Sequence, residues 1–173
     1  MKKGFTMIEL IFVIVILGIL ASVAIPRLAG TRDDAEISSA LANLRTLVSD
    51  ANVYYVTKGD LKEKGSTNDA KWGDITSVPL VSADADTAIS AVAKLKVGGK
   101  ECIGVQLVEK AGTTPAYIKF TKVTANTGSG VCKAVVDSAS VKAYLEAKTP
   151  SVTGVTDAGV IPIGSTASIY TTN

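Results

Sequence analysis

The chain lacks histidine altogether and is poor in the other residues from which catalytic and metal sites are commonly built. Its 173 residues include two cysteines, two methionines and one tryptophan, and aromatic side chains make up 5% of the total. Histidine is the commonest general base and the commonest protein ligand of zinc and copper. Its absence argues against acid–base catalysis by the usual route and against a typical zinc or copper centre.

Serine and threonine are abundant, but the motifs that activate them are missing. There is no Gly-x-Ser-x-Gly sequence, and Ser140 and Lys142 are too close together for a Ser-x-x-Lys pair. Gly98-Gly99 is an isolated turn signal and not a phosphate-binding loop. After Glu146 the only carboxylate side chain is that of Asp157, which is too few for a compact calcium loop. We therefore expect a protein that is not an enzyme, with no catalytic residues, no bound metal and no cofactor.

The charges of the chain nearly balance. Lysine and arginine number 18 and aspartate and glutamate 16, which gives a formal net charge of +2. Lys2 and Lys3 account for that whole excess, so the remainder of the chain is formally neutral. This balance gives no direct evidence for a nucleic-acid partner, and it suits a subunit that packs against many copies of itself.

A long hydrophobic segment at the N-terminus is the most informative feature that the chain does have. Phe5 to Ile25 is 21 residues, about the 20 that cross the hydrocarbon core of a bilayer. Lys2 and Lys3 precede it, which is typical of a cytoplasmic flank. Glu9 lies inside this segment, where a carboxylate opposes insertion into the membrane. We therefore expect Glu9 to have a function that offsets this cost.

Three interpretations of the segment compete. A cleavable secretory signal would end at small residues, and Ser22-Val23-Ala24 fits that description. A carboxylate within the apolar core and Pro26 almost at the cut both argue against it. A plain membrane anchor explains the length but gives Glu9 no purpose. The third interpretation places a cut near the start of the segment and keeps the apolar residues.

Lys2-Lys3-Gly4 followed by Phe5-Thr6-Met7-Ile8-Glu9-Leu10 resembles the leader and junction of type IV prepilins and type II secretion pseudopilins. The resemblance covers about the first 30 residues. In that family a dedicated peptidase cuts after the glycine and methylates the new N-terminal residue. The resemblance thus implies a leader of residues 1–4, a cut after Gly4 and Phe5 as the first mature residue. It also implies that Glu9 pairs with the Phe5 amine of a neighbouring subunit during assembly.

The same resemblance implies an α+β fold with a long N-terminal helix, membrane-spanning in its first half, packed on a small antiparallel sheet. We divide the chain accordingly into residues 1–4 (leader), 5–30 (hydrophobic transmembrane and assembly helix), 31–58 (amphipathic helix packing on the head) and 59–173 (globular head). In assembled pili of this family the stretch that matches Gly18 to Pro26 can lose helical structure. These two residues are therefore the predicted helix breaks.

Past Pro26 the hydrophobic pattern becomes that of an amphipathic helix. Apolar residues recur at alternating spacings of four and three, which makes one stripe: Ile37, Leu41, Leu44, Val48, Ala51 and Tyr55, widened by Ala40, Leu47 and Tyr54. The stripe predicts a helix that leans on the head, with a coiled-coil seam as the alternative. We expect the helix to end before Gly59.

The first part of the head is polar, and in the rest the apolar residues recur with both helical and strand periodicity. Gly59 to Pro79 has no period and predicts a loop, with Trp72 as a docking point. We expect helices and strands in the rest: helices over Asp84–Leu95 and Ser138–Ala147, and strands over Cys102–Val108, Ala116–Val123, Val131–Val136 and Val160–Ile163. The first three strands would form an antiparallel meander. The last would be an edge strand, because Pro162 cannot donate to a ladder.

Cys102 and Cys132 are the two cysteines of the chain. If the head lies outside the cytoplasm, as membrane targeting implies, a disulfide between them is the expected outcome. Closing a loop of about 30 residues would stabilise the fold by about 3.5 kcal/mol in the chain-entropy description. Two buried free thiols are the alternative, while a metal pair would lack two further ligands nearby.

The resemblance implies a structural subunit of a type IV pilus-like filament. Such a subunit waits in the inner membrane with its head in the periplasm, and afterwards belongs to an extracellular pilus or a periplasmic pseudopilus. The implied partners are further copies of the chain in a helical filament, the prepilin peptidase and N-methyltransferase, the membrane and the inner-membrane assembly machinery. The task of the filament stays open among adhesion, motility, DNA uptake, secretion and electron transfer.

Rival functions remain at this stage. Within the family, the chain could be a pseudopilin of a type II secretion system, although major pseudopilins typically lack a cysteine bridge and carry a calcium site near the C-terminus. Many major pilins, in turn, close with their disulfide near the C-terminus, so the long segment after Cys132 leaves the topology of that region open. A lone membrane-anchored binding module is the rival from another class, and a membrane-bound hydrolase is a more distant one.

Overall fold

The computed structural model describes residues 6–62, 68–81, 87–112, 114–126, 128, 130–147 and 158–164, and for residues 26–30 it describes the backbone. The chain forms two compact units, Met1–Ala35 and Glu36–Asn173. We call the part of the second unit that follows the long helix the head.

Helix α1 runs from Met7 to Lys58 and supplies the first unit and the start of the second. Its first part, Met7–Ile25, has a mean hydropathy of 2.9 and none of it is buried, so by length and composition it could cross a membrane. The backbone is helical through Gly18 and Pro26 in this single chain, because a proline removes one hydrogen bond of the ladder and leaves the others in place. The helix break was predicted for the assembled filament, and it remains a prediction.

In the second unit, the amphipathic stripe of α1 packs on the hydrophobic core. The buried members of the stripe are Ala40, Leu44, Leu47, Val48 and Ala51, and the partly buried members are Ile37, Leu41, Tyr54 and Tyr55. The predicted packing of this stripe on the head is therefore confirmed. The predicted end of the helix is confirmed as well, since Gly59 follows Lys58 with φ of 85° and donates its N–H to the Tyr55 carbonyl at 2.8 Å.

The head contains one five-stranded antiparallel sheet with strand order β1-β2-β3-β4-β5. The strands are β1 (Leu80–Val81), β2 (Ala93–Val97), β3 (Lys100–Val108), β4 (Tyr117–Lys122) and β5 (Val160–Pro162). Strands β3 and β4 confirm two of the predicted strands. Strand β5 lies at an edge of the sheet, as Pro162 predicted. The α+β fold class is confirmed.

One face of the sheet carries the core. Leu95 pairs with Ile103, and Val105 pairs with Phe120, and all four side chains are buried in the cluster that also holds the α1 stripe. Among the described residues of the head, three short helices border this core: α2 (Trp72–Ile75), α3 (Val131–Asp137) and α4 (Ala139–Leu145). Helix α4 confirms a predicted helix, and its Tyr144 ring meets the Phe120 ring edge-on at a centroid distance of 5.9 Å. Trp72, the predicted docking point, is 3% exposed in the same core.

The helix predicted over Asp84–Leu95 is wrong in its described part. Residues 82–86 lie outside the described residues, residues 87–91 form a bridge and turns, and Ala93–Val97 is strand β2. In β2 the alanine, leucine and valine are buried while the two lysines between them are not, which is the alternation of a half-buried strand. The alternation lets β2 pair with β3 and bury one face, and this stabilisation outweighs the helix propensity of an alanine-rich segment.

The strand predicted over Val131–Val136 is also wrong, because this segment forms helix α3. Its buried side chains are Cys132, Val135 and Val136, at the three- and four-residue spacing of one helix face. The valines favour a strand by propensity, but this weak preference yields to packing. Cys132 thus lies on a helix, and not at the start of a third strand.

A disulfide joins Cys132 of α3 to Cys102 of β3, with an S–S distance of 1.89 Å and a Cα–Cα distance of 5.2 Å. Both residues are fully buried. The bond fixes helix α3 against the inner part of the sheet, and this is why the segment after the β3–β4 hairpin returns to the core.

Side-chain hydrogen bonds hold the segment that follows α1. The Leu61 N–H donates to the Glu109 carboxylate at 2.7 Å, and the Lys62 ammonium donates to Asp69 Oδ1 at 2.7 Å. The hydrogen bond from Lys62 holds the pKa of the Asp69 carboxyl below its ordinary value. These contacts seat Leu61, which is fully buried, in the core.

The last described segment closes the head against α4, β4 and α1. The Gly159 carbonyl accepts the Phe120 N–H at 2.8 Å, and the Gly159 N–H donates to the Ala147 carbonyl at 3.0 Å. Further on, the Gly164 N–H donates to Asn52 Oδ1 of α1 at 3.0 Å. Gly159 has φ of +79°, and a Cβ there would lie 2.1 Å from the Phe120 carbonyl oxygen. Only glycine fits at this close approach of backbones.

Replacing Gly159 by alanine should destabilise the fold more than the same change at Gly99. Gly99 has φ of +80° with no atom within 4 Å of a Cβ, so Gly99→Ala should cost only the strain of a positive φ, about 1–2 kcal/mol. Gly159→Ala should cost about 1–3 kcal/mol more, because the clash is with backbone that no rotamer change relieves. Urea unfolding of the detergent-solubilised chain, followed by the fluorescence of Trp72, measures both. Equal midpoints for the two variants would contradict the close packing at Gly159.

Candidate functional site

The carboxylate of Glu9 is bonded within its own helix by Thr6. The Thr6 N–H donates to Glu9 Oε2 at 2.8 Å, and the Thr6 hydroxyl donates to the same oxygen at 2.6 Å. In return, the Glu9 N–H approaches Thr6 Oγ1 at 3.4 Å. The first helical hydrogen bond runs from the Leu10 N–H to the Thr6 carbonyl at 3.3 Å. Thr6 is therefore the N-cap of α1, and Thr6 with Glu9 forms a capping box.

This arrangement lets a carboxylate exist in an apolar segment of a single chain. Burying a charged group without partners costs several kcal/mol or more. Here Oε2 receives two donors from Thr6, and the unpaired N–H groups at the helix N-terminus also favour a negative charge. Neither of these two bonds involves Oε1, and a carboxylate oxygen is a strong hydrogen-bond acceptor.

The rest of the segment has the surface of a helix that must be covered. The side chains of Met7–Ile25 are exposed throughout: Ile8 is 76% exposed and Phe12 is 66% exposed. In water such a surface would be unfavourable by about 25 cal/mol per Å² of apolar area. Lipid or the equivalent helices of other subunits are the surroundings that suit it.

Some of the predicted site residues lie within the described part of the structure and others lie outside it. Gly4 and Phe5, the predicted processing and assembly residues, lie outside the described residues. Glu9 is described, and so is Gly18, where a Cβ would meet no atom within 4 Å. Pro26 belongs to the described helical backbone. Within the described ranges, no group of three or more histidine, cysteine, aspartate or glutamate residues could hold a metal ion.

Thr6 is the functional residue that the sequence interpretation missed. The signal was present, because Thr6-Met7-Ile8-Glu9 has the Thr-x-x-Glu spacing of a capping box directly before an apolar run. The sequence predicted a contact of Glu9 with another subunit, and in the single chain Thr6 donates two hydrogen bonds to the same carboxylate.

Comparison with known proteins finds one family model and several relatives that match part of this chain. The family model described as "Prokaryotic N-terminal methylation motif" matches residues 1–25. The type II secretion system core protein G of Dickeya chrysanthemi is 40% identical over 53 residues, which are 31% of this chain and 35% of that protein. The type IV major pilin protein PilE1 of Neisseria gonorrhoeae is 37% identical over 67 residues, which are 39% of this chain and 41% of that protein.

The family model covers residues 1–25, and these two relatives match 31% and 39% of the chain. The chain spans about a third of the length of the first curated relatives that it matches. No solved structure matches the chain at a significant level. The matched relatives are named as structural components of a secretion system and of a pilus, and none of these names is that of an enzyme.

Removal of the Thr6 hydroxyl should loosen the first turn of α1. Thr6→Val deletes the side-chain bond to Glu9 and should cost about 1 kcal/mol at the N-cap. The backbone amide hydrogens of the first turn should then exchange with solvent about fivefold faster. NMR of the chain in detergent micelles measures these exchange rates. Thr6→Ser keeps the hydroxyl and is the matched control, with exchange close to that of the unchanged chain. Equal protection in Thr6→Val and Thr6→Ser would show that the capping box does not form.

Proposed function

We propose that this chain, whose N-terminal segment is that of the type IV pilin and type II secretion pseudopilin family, is a structural subunit of a pilus-like filament. One observation carries the proposal: a single carboxylate, Glu9, is kept and hydrogen-bonded inside an otherwise uncharged, fully exposed apolar helix. The capping box alone does not require a charge, because a glutamine at this position would also cap the helix, whereas pairing with the amine of a neighbouring helix does require one.

Processing comes first in the proposed sequence of events. Lys2 and Lys3 hold the start of the precursor on the cytoplasmic side. The prepilin peptidase cuts after Gly4, and the amine of Phe5 is methylated and stays positively charged. The match of residues 1–25 to the methylation motif supports this step.

The processed subunit then waits in the inner membrane with its head in the periplasm. The segment Met7–Ile25 supplies the membrane span. Thr6 provides the hydrogen-bond donors for Glu9 during this stage, when no other subunit is in contact. The disulfide of the head supports a location outside the cytoplasm, because disulfides persist in oxidising compartments.

Assembly brings a second charge to Glu9. The amine of Phe5 from a neighbouring subunit approaches the carboxylate, and the two opposite charges compensate each other in the apolar interior of the filament. A charge pair of this kind is satisfied at one axial position only, so it also fixes the step between subunits. The apolar side chains of Met7–Ile25, exposed in the single chain, become the interior of the filament.

The stretch from Gly18 to Pro26 is the proposed place where the helix loosens after assembly. Glycine has the largest conformational freedom of any residue, and proline supplies no N–H to the ladder. Both residues are helical in the single chain, so the loosening would accompany packing against other subunits.

A pilus and a type II secretion pseudopilus are the two forms that such a filament could take. The disulfide Cys102–Cys132 supports the pilus. The identity to the secretion protein G supports the pseudopilus as the second candidate. Electron microscopy of cells that express the chain separates them, because a pilus extends far from the surface and a pseudopilus stays in the periplasm. A chain that is uncut and monomeric in the membrane would instead favour a lone anchored module.

Replacing Glu9 by valine should abolish filaments without preventing processing. The Phe5 amine of a neighbour would then be buried without its partner, at a cost of about 3–5 kcal/mol per contact. Immunoblots of the sheared surface or periplasmic filament fraction should show a loss of at least about a hundredfold, with normal cutting in the membrane fraction. Glu9→Asp retains the charge and is the control, with partial assembly expected. Normal filaments from Glu9→Val would exclude the role assigned to Glu9.

Replacing Gly4 by a bulky residue should leave the precursor uncut. The proposed cut follows Gly4, so a bulky side chain at this position should block it, and Gly4→Leu should retain the leader and remain in the membrane. Lys3→Ala is the matched control, because it changes the leader but not the residue at the cut. Intact-mass measurement of the membrane-extracted chain distinguishes the two forms. An unchanged mature N-terminus in Gly4→Leu would refute the cleavage site.

A further inference from the structure

The head holds helix α1 by polar side chains as well as by the apolar stripe. Glu36 makes one of these hydrogen bonds, and it lies farther toward the N-terminus of α1 than the others described here. The other three lie near the C-terminal end of the helix: Asp50 with the Thr76 hydroxyl, Asn52 with the Gly164 N–H and the Tyr54 hydroxyl with the Lys62 carbonyl.

The partner of Glu36 is the tip of the β2–β3 hairpin. Val97 pairs with Lys100, so the loop between the two strands is Gly98-Gly99, with φ of 57° and 80°. Two positive φ angles in a two-residue loop are typical of a type I′ turn. The Gly98 N–H lies outside the ladder of the two strands, and it donates to Glu36 Oε2 at 3.1 Å. We call this hydrogen bond the hairpin clip.

Helix α3 packs against the tip of the same hairpin. A Cβ at Gly98 would lie 3.1 Å from Val131 Cγ1, so the first residue of α3 occupies the space beside this glycine. The next residue, Cys132, carries the disulfide to Cys102, and both cysteines are fully buried. The disulfide thus fixes the start of α3, and the start of α3 limits the movement of the hairpin tip.

Loosening of a helix needs a tertiary contact to stop it. The propagation constant of good helix formers is about 1–1.6, so the gain or loss of one residue at a helix end changes the free energy little. Residues 31–35 have exposed or half-buried side chains, and the first unit ends with them. From residue 31 onward, the first fully buried side chain of α1 is that of Ala40. The hairpin clip at Glu36 lies about one turn before it.

We propose that the hairpin clip is the point at which loosening of α1 stops, and that the disulfide keeps the clip closed through α3. This inference rests on the proposed function, which assigns the loosening to the stretch from Gly18 to Pro26 in an assembled filament. With the clip closed, the helix stays intact from Glu36 onward. With the clip open, the loosening extends to the buried Ala40. The clip thus separates the part of α1 that can change from the part that carries the folded head.

Glu36→Ala tests the clip in the single chain. It removes the acceptor, so the amide hydrogens of residues 37–40 should exchange about fivefold faster in detergent micelles, as NMR measures. Alanine has the higher helix propensity, so a purely local effect would slow this exchange. Glu36→Gln retains an acceptor oxygen and is the matched control, with exchange within about twofold of the unchanged chain. Equal exchange in the two variants would overturn the inference.

A double-mutant cycle tests the role of the disulfide. Replacing both Cys102 and Cys132 by alanine should speed up exchange in residues 37–40. Val131→Ala keeps the disulfide and should act in the same direction, and it serves where loss of the disulfide prevents folding. Adding Glu36→Ala to either variant should then raise the exchange rate by less than about twofold, because the clip is already open. A full fivefold further increase would show that the clip does not depend on α3 and would contradict the inference.

Hydrogen-exchange mass spectrometry of filaments separates this inference from the proposed function. In filaments of the unchanged chain, the residues after Glu36 should be protected, and in Glu36→Ala filaments the fast exchange should extend to Ala40. If the unchanged chain forms filaments and both kinds of filament exchange alike, this inference is wrong and the proposed function stands. If the unchanged, processed chain forms no filament at all, the proposed function is wrong, and this inference falls with it.

Discussion

The hydrogen bonds to the Glu9 carboxylate are the interaction on which the rest of this protein depends. A charged group in an apolar helix is tolerated only where donors reach it, and in the single chain Thr6 provides two of them to one oxygen. Neither of these two bonds uses the second oxygen. The same carboxylate can thus be hydrogen-bonded inside a lone subunit in the membrane and can then pair with the charged amine of a neighbour. The helix therefore has one specific contact within an otherwise unspecific apolar surface.

Helix α1 presents two kinds of surface in succession, and each one determines what surrounds it. Met7–Ile25 is apolar on every side and is exposed in the single chain, which suits lipid and then a filament interior. From Ile37 to Tyr55 only one stripe is apolar, and the head covers it. The head itself is closed by the disulfide between α3 and β3 and by the glycine contacts of the segment around β5.

Several elements of this structure could be predicted from the periodic spacing of apolar residues, which has burial of one face as its dominant cause. The stripe of α1 and the strands β3 and β4 were predicted correctly, because long periodic burial leaves little choice of element. The predictions for Asp84–Leu95 and Val131–Val136 were wrong, because the propensities of alanine and valine are weak and tertiary contacts override them. Pairing with β3 makes the described end of the first segment a strand. Burial of one helix face beside the disulfide to Cys102 makes the second segment a helix. The capping role of Thr6 was readable from its spacing to Glu9, whereas the close approaches at Gly159 and Gly164 join residues far apart in the sequence and follow only from the fold.

The most direct test of the central claim is mass spectrometry of the N-terminal peptide from sheared filaments. We expect the filament protein to begin at Phe5, Phe5 to carry one methyl group, and the apolar segment containing Glu9 to be present in full. A filament protein that begins at Met1, or one that begins after Ala24 and has lost the apolar segment, would contradict it.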